Sequence, residues 1–432
     1  AVVEERQLEQ FANRGYDVLD KIRALDPSVS LSMSIGIGRG ARTLREAQDM
    51  AEHALDMAQG RGGDQAAEMT LDGFTFYGGV SHGVEKRSKV RSRLVADQLV
   101  KLIKEADHVV IMGHRMSDLD AIGAAEGVLR ICKICDVPAV IAVRRDATLA
   151  ASLIDALCKA GQKDDFIDPK DALPIISKRT LCIVVDTYQA GLVESKDILE
   201  KCGKVAVIDH HRKGVGYIEN PALVCHEPYS SSASELVTEL LQYVGDRDDK
   251  PNRVEAEGLL AGILLDTQDF TLHTGVRTFE AAAALRRYGA ETERVRRLFD
   301  VTMVEYNAKA DLVEKAQMYK NCAISIGGEV APEARVAIAQ AANDLLRIQG
   351  VDASFVAVQV GNGVNVSARS MGAVNVQVIM ESLGGGGHQT MAAAQLKHIT
   401  PQAARSRIQD AIDQYYLSQK KTTPEARPAK GE

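Results

Sequence analysis

The sequence lacks several features that would place the chain in particular classes of protein. It has no run of eighteen apolar residues, so no segment is long and apolar enough for a transmembrane helix, and no secretory signal opens it. It also lacks an excess of positive charge, since its formal net charge is −7. Proteins that bind long nucleic acids neutralise many phosphates with Lys and Arg. We therefore expect no long nucleic acid as a partner, whereas a small anionic substrate held by metal ions is compatible with this charge.

The seven cysteines follow no regular framework. An odd number without a pattern predicts reduced thiols in a cytoplasmic compartment rather than a set of disulfides. Cys132 and Cys135 have CxxC spacing, but no second pair completes a zinc site. We interpret both as small apolar residues at helical spacing.

The length of 432 residues predicts two or three domains, and 45% apolar with 26% charged residues is typical of a globular protein. Because the chain begins at Ala1 in what looks like the middle of a domain, we expect a fragment of a longer protein. The predicted segments are a partial α/β domain (1–83), a basic linker helix with a solvated face (84–104), a metal-binding catalytic domain (105–292), a connector helix (293–320), a substrate domain (321–418) and a disordered tail (419–432).

The segment 105–292 alternates between apolar runs and helical stretches. The apolar runs are rich in Val and Ile and lie at 108–113, 138–143, 180–186 and 205–211. Apolar strands separated by helices predict a parallel sheet that is covered on both faces, and hence an α/β fold.

Acidic and histidine side chains follow three of these strands. In chain order they are His114, Asp118, Asp120, Asp186, Asp209, His210 and His211, and a further acid, Asp266, closes the apolar run 258–266. The carboxyl ends of parallel strands meet at one edge of a sheet, which is where ligands bind. So many like charges are unfavourable together unless cations neutralise them. The pattern therefore predicts a metal site.

The predicted ligands are carboxylates and imidazoles, with no thiolate among them. This donor set favours Mn²⁺, with Mg²⁺ or Co²⁺ as weaker alternatives. Two such ions bridged by one carboxylate are a common device for hydrolysing phosphate esters. We therefore expect a pair of Mn²⁺ ions and a phosphodiesterase reaction.

The order of the motifs resembles the DHH phosphoesterase superfamily. Its four catalytic motifs are matched by GHRMSDLDAIG (113–123), VVDT (184–187), DHH (209–211) and GILLDT (262–267). The associated substrate domain is matched by VSARS (366–370) and GGGGHQTMAAA (384–394). Together the resemblance covers about residues 105–418.

The resemblance implies a role for each matching residue. One metal would be bound by His114, Asp118 and Asp186, and the other by Asp120, Asp186, His210 and Asp266, with Asp186 bridging. His211 would assist the departing oxygen, Asp209 would orient a histidine, and Arg369 would stabilise charge. The implied substrate contacts, in a cleft between the two domains, are Ser367, Arg369, Gly384, Gly385, Gly386, Gly387 and His388.

The first eighty residues narrow the choice within the superfamily. SIGIG (34–38) and the stretch 46–66 resemble the second half of a GGDEF domain. The letters Gly62-Gly63-Asp64 follow its last helix and are not the catalytic hairpin of a cyclase, so a regulatory or binding role is the better interpretation of 1–83. A GGDEF-like domain before a DHH module resembles the GdpP-type cyclic-di-AMP phosphodiesterases of bacteria. This implies hydrolysis of cyclic di-AMP to 5′-pApA, a homodimer, and a cytoplasm-facing module anchored in the cell membrane through the missing segment.

Other functions stay open at this point. A nano-RNase or a phosphatase of 3′-phosphoadenosine 5′-phosphate would act on short linear nucleotides with the same catalytic domains, but would be expected to lack the GGDEF remnant. A manganese pyrophosphatase would need several basic clamps and no GGGGH loop. A sensor that binds a nucleotide without cutting it would be favoured by lost metal ligands, and here all six are present.

Overall fold

The computed structural model describes residues 2–25, 31–78, 89–211, 216–246, 249–329, 336–387 and 390–422. Over these ranges the chain has an α/β fold with three β-sheets. The chain divides into two compact units, Ala1–Phe299 and Asp300–Glu432. The predicted boundaries of the individual domains stay predictions.

A small three-stranded sheet with three helices lies at the N-terminus, and we call it the N-terminal module. Its elements are α1 (Glu5–Asn13), α2 (Val18–Arg23), β1 (Ile35–Gly38), α3 (Leu44–Gly60), β2 (Gln65–Thr70) and β3 (Gly73–Gly78). The central strand β2 is parallel to β1 and antiparallel to β3. Helices α1 and α2 are separate, because Gly15 adopts a φ of 60° just after α1 and ends that helix.

Helix α4 (Lys89–Glu105) covers the described part of the predicted linker, whose residues 84–88 lie outside the described ranges. Ala96, Leu99 and Ile103 are fully buried in the core of the following domain. Their spacing of three and four residues places them on one face of the helix. The helix is therefore packed into the catalytic domain, and the prediction of a linker underestimated its contacts.

The next domain is built on a six-stranded sheet with the order β6-β5-β4-β7-β8-β9, and every neighbouring pair is parallel. The elements are β4 (His108–Met112), α5 (Leu119–Ile134), β5 (Ala139–Ala142), α6 (Ala151–Leu157), β6 (Phe166–Ile167), α7 (Pro169–Ala172), β7 (Thr180–Val185), α8 (Lys196–Lys201), β8 (Lys204–Asp209), β9 (Leu223–His226), α9 (Ala233–Leu241), α10 (Arg253–Thr267), α11 (Val276–Arg287) and α12 (Thr292–Arg297). Short π- and 3₁₀-helical turns lie at Cys158–Gln162, Lys163–Asp165 and Leu173–Ile175.

The four predicted strands of this sheet are confirmed, and their alternating residues belong to two separate cores. On β7, Leu181 and Ile183 pack in one hydrophobic cluster, whereas Cys182 and Val184 pack in another. Successive side chains of a strand point to opposite faces, so both faces of the sheet are covered. The edge strands β6 and β9 are short and were not predicted. Cys132 is buried in the same core, as expected of a small apolar residue.

The unit after residue 299 contains a mixed sheet with the order β10-β11-β12-β13-β15-β14. Its elements are α13 (Met303–Glu314), β10 (Gln317–Tyr319), β11 (Cys322–Glu329), α14 (Val336–Leu345), β12 (Ala353–Val360), β13 (Gly363–Ser370), α15 (Val376–Ser382), β14 (Gly386–Gly387), β15 (Met391–Lys397) and α16 (Pro401–Thr422). Only β11 and β12 pair in parallel. The stretches 322–326, 354–360 and 363–370 lie in β11, β12 and β13.

Two predicted elements differ from the structure. The single connector helix expected over 293–320 is divided into α12, α13 and β10, because Thr302 and Glu305 form a capping box that starts a new helix. Helix α16 continues through 422, so it includes the first residues of the expected tail, and 423–432 lie outside the described ranges. Among the described helices, none has the length and apolar character needed to cross a membrane.

Candidate metal centre

The structure brings together the six residues that the sequence suggests as metal ligands. They fall into overlapping groups in which possible ligand atoms lie within 4.8 Å of one another: His114, Asp118 and Asp186; Asp120, His210 and Asp266; and Asp186, His210 and His211. Five of the six proposed ligands come from the carboxyl ends of β4, β7 and β8 or from the first turn of α5, and Asp266 comes from α10.

Asp186 lies between the two proposed groups of ligands. Its Oδ2 is 3.4 Å from His114 Nε2, and its Oδ1 is 3.3 Å from His210 Nε2. The residue directly follows β7, is only 3% exposed, and adopts a left-handed φ of 58°. Such a backbone conformation is uncommon outside glycine and concentrates at functional sites. The two carboxylate oxygens thus face different histidines, as a bridging ligand requires.

The turn between β4 and α5 positions His114 and Asp118. Asp118 caps α5, and its Oδ1 accepts hydrogen bonds from the backbone amides of Asp120 (3.0 Å) and Ala121 (3.1 Å). Ser117 Oγ donates to the carbonyl of His114 at 2.6 Å. These contacts give the turn a fixed geometry, because each satisfies a backbone group that would otherwise have no partner.

Asp120 is held by the N-terminus of another helix. Its fully buried carboxylate accepts hydrogen bonds from the amides of Ala233 (2.7 Å) and Ser234 (2.9 Å), where α9 begins. The positive end of the helix dipole favours a negative charge there. Ser232 caps α9 by accepting from Glu235 N, an S-x-x-E signature that could have predicted the start of this helix. No local sequence pattern indicated that Asp120 would contact the start of α9.

Glycines allow α10 to approach α5 closely and so bring Asp266 to the site. Gly258, Gly262 and Asp266 are spaced by four residues and therefore share one face of α10. A Cβ at Gly262 would lie 2.6 Å from Asp120 Oδ1, and one at Gly123 would lie 2.5 Å from the Gly258 carbonyl oxygen. No side chain fits in either place without movement of the two helices.

The end of β8 positions the paired histidines. His210 Nε2 lies 3.0 Å from Asp266 Oδ2. Asp209 is fully buried, its Oδ1 lies 2.9 Å from His211 Nδ1, and it also accepts from the His211 amide at 3.2 Å. His226 of β9, which the sequence analysis missed, places its Nε2 2.5 Å from the His211 carbonyl oxygen. Asp209 and His226 thus hold His211 from two sides.

The electrostatics of the site favour charged histidines in the absence of cations. Burial lowers the pKa of His114, but hydrogen bonds with Asp118 and Asp186 raise it overall to about 11. The pKa of His210 is also raised, because the neighbouring carboxylates outweigh burial. Burial opposes ionisation of Asp186, yet the contacts with both histidines lower its pKa. Protons and metal ions would therefore compete for the same side chains.

The residues present fit divalent cations. Asp186 Oδ1 and His210 Nε2 are buried 3.3 Å apart as an ion pair, and neither atom makes a hydrogen bond of regular geometry among the described residues. Buried polar atoms without partners are rare in native structures and indicate a missing ligand. The four carboxylates and two imidazoles around them are ligands that divalent metal ions accept.

Ser367 and Arg369 lie on β13 in the second unit and, two residues apart, share one face of that strand. Arg369 Nη1 donates to Ser367 Oγ at 3.1 Å and to the Ala368 carbonyl at 2.9 Å. Its Nε is buried without a hydrogen-bond partner in the described part of the chain, and burial lowers the pKa of Arg369 to about 10. A buried guanidinium with an unpaired N–H suits an anionic ligand.

The glycine run Gly384–Gly387 has a structural reason that the sequence analysis did not foresee. A Cβ at Gly385 would lie 2.1 Å from the Ala393 carbonyl oxygen, and one at Gly387 would lie 2.4 Å from a carbonyl oxygen of β15. These glycines thus let β14 pair closely with β15. Their predicted contact with phosphate stays a prediction, and His388 lies outside the described residues.

Three family models match the chain in sequence order. The GGDEF domain of the cyclic-di-AMP phosphodiesterase GdpP-like group matches 1–72, the N-terminal domain of the DHH family matches 108–263, and the DHHA1 domain matches 331–417. Over residues 108–263 the chain is similar to the DHH family. The matched regions combine a DHH domain with a DHHA1 domain and a GdpP-like GGDEF domain.

Two curated relatives are similar over nearly the whole chain. The cyclic-di-AMP phosphodiesterase GdpP of Geobacillus thermodenitrificans is 44% identical over 424 residues, and GdpP of Bacillus subtilis is 41% identical over 428 residues. Both alignments cover 96% of this chain, which spans 64% of the length of each relative. A crystal structure of an exopolyphosphatase-related protein from Bacteroides fragilis covers 76% of this chain and 98% of its own, with a TM-score of 0.65 and 20% identity. At this identity the likeness supports the fold alone.

Proposed function

We propose that this chain is the catalytic part of a phosphodiesterase that hydrolyses cyclic di-AMP to linear 5′-pApA. Its main support is the convergence of six ligand residues from the four DHH motifs around Asp186. The choice of cyclic di-AMP is supported by the GdpP-like GGDEF domain and by the two relatives that carry this activity in their names.

The proposed metal pair has a ligand set for each ion. One set is His114, Asp118 and Asp186, and the other is Asp120, Asp186, His210 and Asp266. When bound, two divalent cations supply Lewis acidity that lowers the pKa of the attacking water and offsets the charge on the phosphate oxygens. We propose Mn²⁺ because carboxylates combined with imidazoles suit it better than Mg²⁺.

His211 is the proposed proton donor to the departing 3′ oxygen. Its Nδ1 faces Asp209, so we assign Nε2 to the substrate. Burial and His210 lower the pKa of His211, but Asp209 and Asp186 raise it overall and favour the protonated ring. A positioned acid whose proton is retained near neutral pH suits this task. Asp209 acts through His211 and is a positioning residue.

We assign substrate binding to one face of the second unit's sheet. Ser367 pairs with Ala393, and Ala393 pairs with Gly386, so these residues form a row across β13, β15 and β14. Arg369 lies two residues further along β13, where it pairs with Met391. A nucleotide phosphate could accept hydrogen bonds from Arg369 and Ser367 and approach the backbone at Gly386, which has open space where a side chain would be.

Two further predictions concern location and assembly. The membrane anchor and the homodimer are both expected from the family resemblance, and both stay predictions. Light scattering would report a homodimer as twice the mass of one chain, and a monomeric mass at micromolar concentration would contradict it.

A chromatographic time course tests the proposed reaction. Equal amounts of cyclic di-AMP, cyclic di-GMP and pApA are incubated with the protein in Mn²⁺, in Mg²⁺ and in chelator. We expect cyclic di-AMP to be converted to accumulating pApA fastest in Mn²⁺ and not at all in chelator. Asp186→Ala should abolish turnover, whereas Asp197→Ala, at an exposed position in α8, should leave it unchanged.

Other outcomes would overturn the proposal in different directions. Preferred conversion of pApA to AMP would assign the chain to the enzymes of short linear nucleotides. Binding of cyclic di-AMP without any turnover would assign it to the nucleotide sensors.

A further inference from the structure

The loop 227–232 connects two parts of the proposed metal centre. At its start, the Glu227 amide donates to the Asp209 carbonyl oxygen at 3.1 Å, next to the paired histidines. At its end, the first amides of α9 hold Asp120, with Ala233 N at 2.7 Å from the carboxylate. A shift of this loop would therefore change the positions of ligands from two different motifs.

Tyr229 ties this loop to the N-terminal module. Its hydroxyl donates to the carbonyl oxygen of Gly62, in the turn that follows α3. Gly62 has a φ of 103°, and a Cβ at this position would lie 3.3 Å from Tyr229 Oη. Only glycine combines this backbone conformation with such a close approach at no cost. The GGD turn, which has no cyclase role here, thus contacts the loop.

We propose that the N-terminal module regulates the metal centre through this contact, with Tyr229 as a positioning residue. A signal that moves the module would loosen the loop 227–232 and would weaken metal binding. This inference rests on the proposed function only in that it assigns a regulator to the same site.

The test uses the whole chain and a substitution that removes one group. Tyr229→Phe removes the hydroxyl that reaches Gly62. Tyr243→Phe, two residues beyond the end of α9, is the matched control. The readouts are the Mn²⁺ dissociation constant by titration calorimetry, amide hydrogen exchange over 227–241 without metal, and the melting temperature.

We expect Tyr229→Phe to weaken Mn²⁺ binding by about 3- to 10-fold, less than the 10- to 100-fold typical of groups that touch a ligand directly. Tyr229→Phe should also speed exchange over 227–241, while the control matches the unmodified chain in both readouts. Unchanged Mn²⁺ affinity and exchange in Tyr229→Phe would overturn the inference, as would a lower melting temperature with unchanged affinity. A chain that binds Mn²⁺ but does not cut cyclic di-AMP would refute the proposed function alone, because affinity and exchange still test this contact.

Discussion

At the scale of single residues, the proposed centre depends on buried carboxylates whose negative charge is tolerated only because positive groups lie beside them. Asp120 and Asp186 are both buried, and burial together with Asp186 raises the pKa of Asp120 well above its usual range. Histidines and helix amides offset part of this cost in the metal-free chain. Cations would replace the protons on the histidines and neutralise the remaining charge of the carboxylates.

Metal binding should therefore release protons. The pKa of His114, raised to about 11, means that this ring is protonated at pH 7.5 without metal, and the raised pKa of His210 favours its protonated form as well. We expect Mn²⁺ affinity to rise with pH, and calorimetry in two buffers of different ionisation enthalpy to show proton release. His114→Gln should release fewer protons than the unmodified chain. Binding without any proton release at pH 7.5 would contradict these charge states.

The raised pKa of His114 also determines the direction in which the stability of the metal-free chain changes with pH. A histidine whose pKa is higher in the folded state stabilises the fold fully below its unfolded value, near 6.5. This contribution from His114 is lost as the pH rises toward 11. Urea unfolding in chelator should therefore show a free energy of unfolding that falls with pH more steeply in the unmodified chain than in His114→Gln, where His210 still contributes.

At the scale of elements, the close approach of α5 and α10 decides whether Asp266 can join the site. The approach depends on Gly262, where a Cβ would lie 2.8 Å from Asp120 Cα as well as close to its carboxylate. Backbone atoms cannot move aside as a flexible side chain can. The packing of α5 against α10 thus positions Asp120 and Asp266, independently of the ligands that follow the strands of the sheet.

Gly262→Ala should push α10 away from α5. We expect Mn²⁺ affinity to fall by about tenfold or more, because Asp120 and Asp266 are displaced from each other. Gly258→Ala is the matched control one turn earlier on α10, where the nearest contact is the movable side chain of Leu153 at 3.1 Å. Equal losses of affinity in the two variants, measured by calorimetry, would refute the role of the glycine at 262.

At the scale of the whole molecule, the proposed functions are divided between the two compact units. The metal ligands belong to Ala1–Phe299, whereas Ser367 and Arg369 belong to Asp300–Glu432. Variants in the two units should therefore have different kinetic effects. Losses in the first unit should act on metal affinity, and losses in the second should act on the substrate.

Arg369→Gln should raise KM for cyclic di-AMP by about 10- to 100-fold, as expected for the loss of a charged hydrogen bond, and leave Mn²⁺ affinity unchanged. Arg347→Gln, at an exposed position in the same unit, is the control and should alter neither value. Steady-state kinetics and calorimetry measure the two effects. A loss of Mn²⁺ affinity in Arg369→Gln would show that the two roles are not separate.

Much of the catalytic domain could be predicted because its signals are local. An apolar run that ends on Asp or His marks both a buried strand and its ligand-binding end, and this was sufficient for β4, β7 and β8. The short edge strands β6 and β9 carry too few residues for a clear pattern, and β9 brought the unpredicted His226. The connector was misjudged because a capping box at Thr302 interrupts an otherwise helical stretch.

The sequence by itself determined which side chains carry the chemistry, because ligand type and strand-end position are properties of neighbouring residues. It also indicated the family resemblance, through motifs in a fixed order. Only the tertiary structure decided what holds these side chains in place: α9 against Asp120, the glycines between α5 and α10, and the N-terminal module against Tyr229. Those contacts join residues far apart in the chain, and no local pattern records a contact whose partners become neighbours only when the sheet and helices pack.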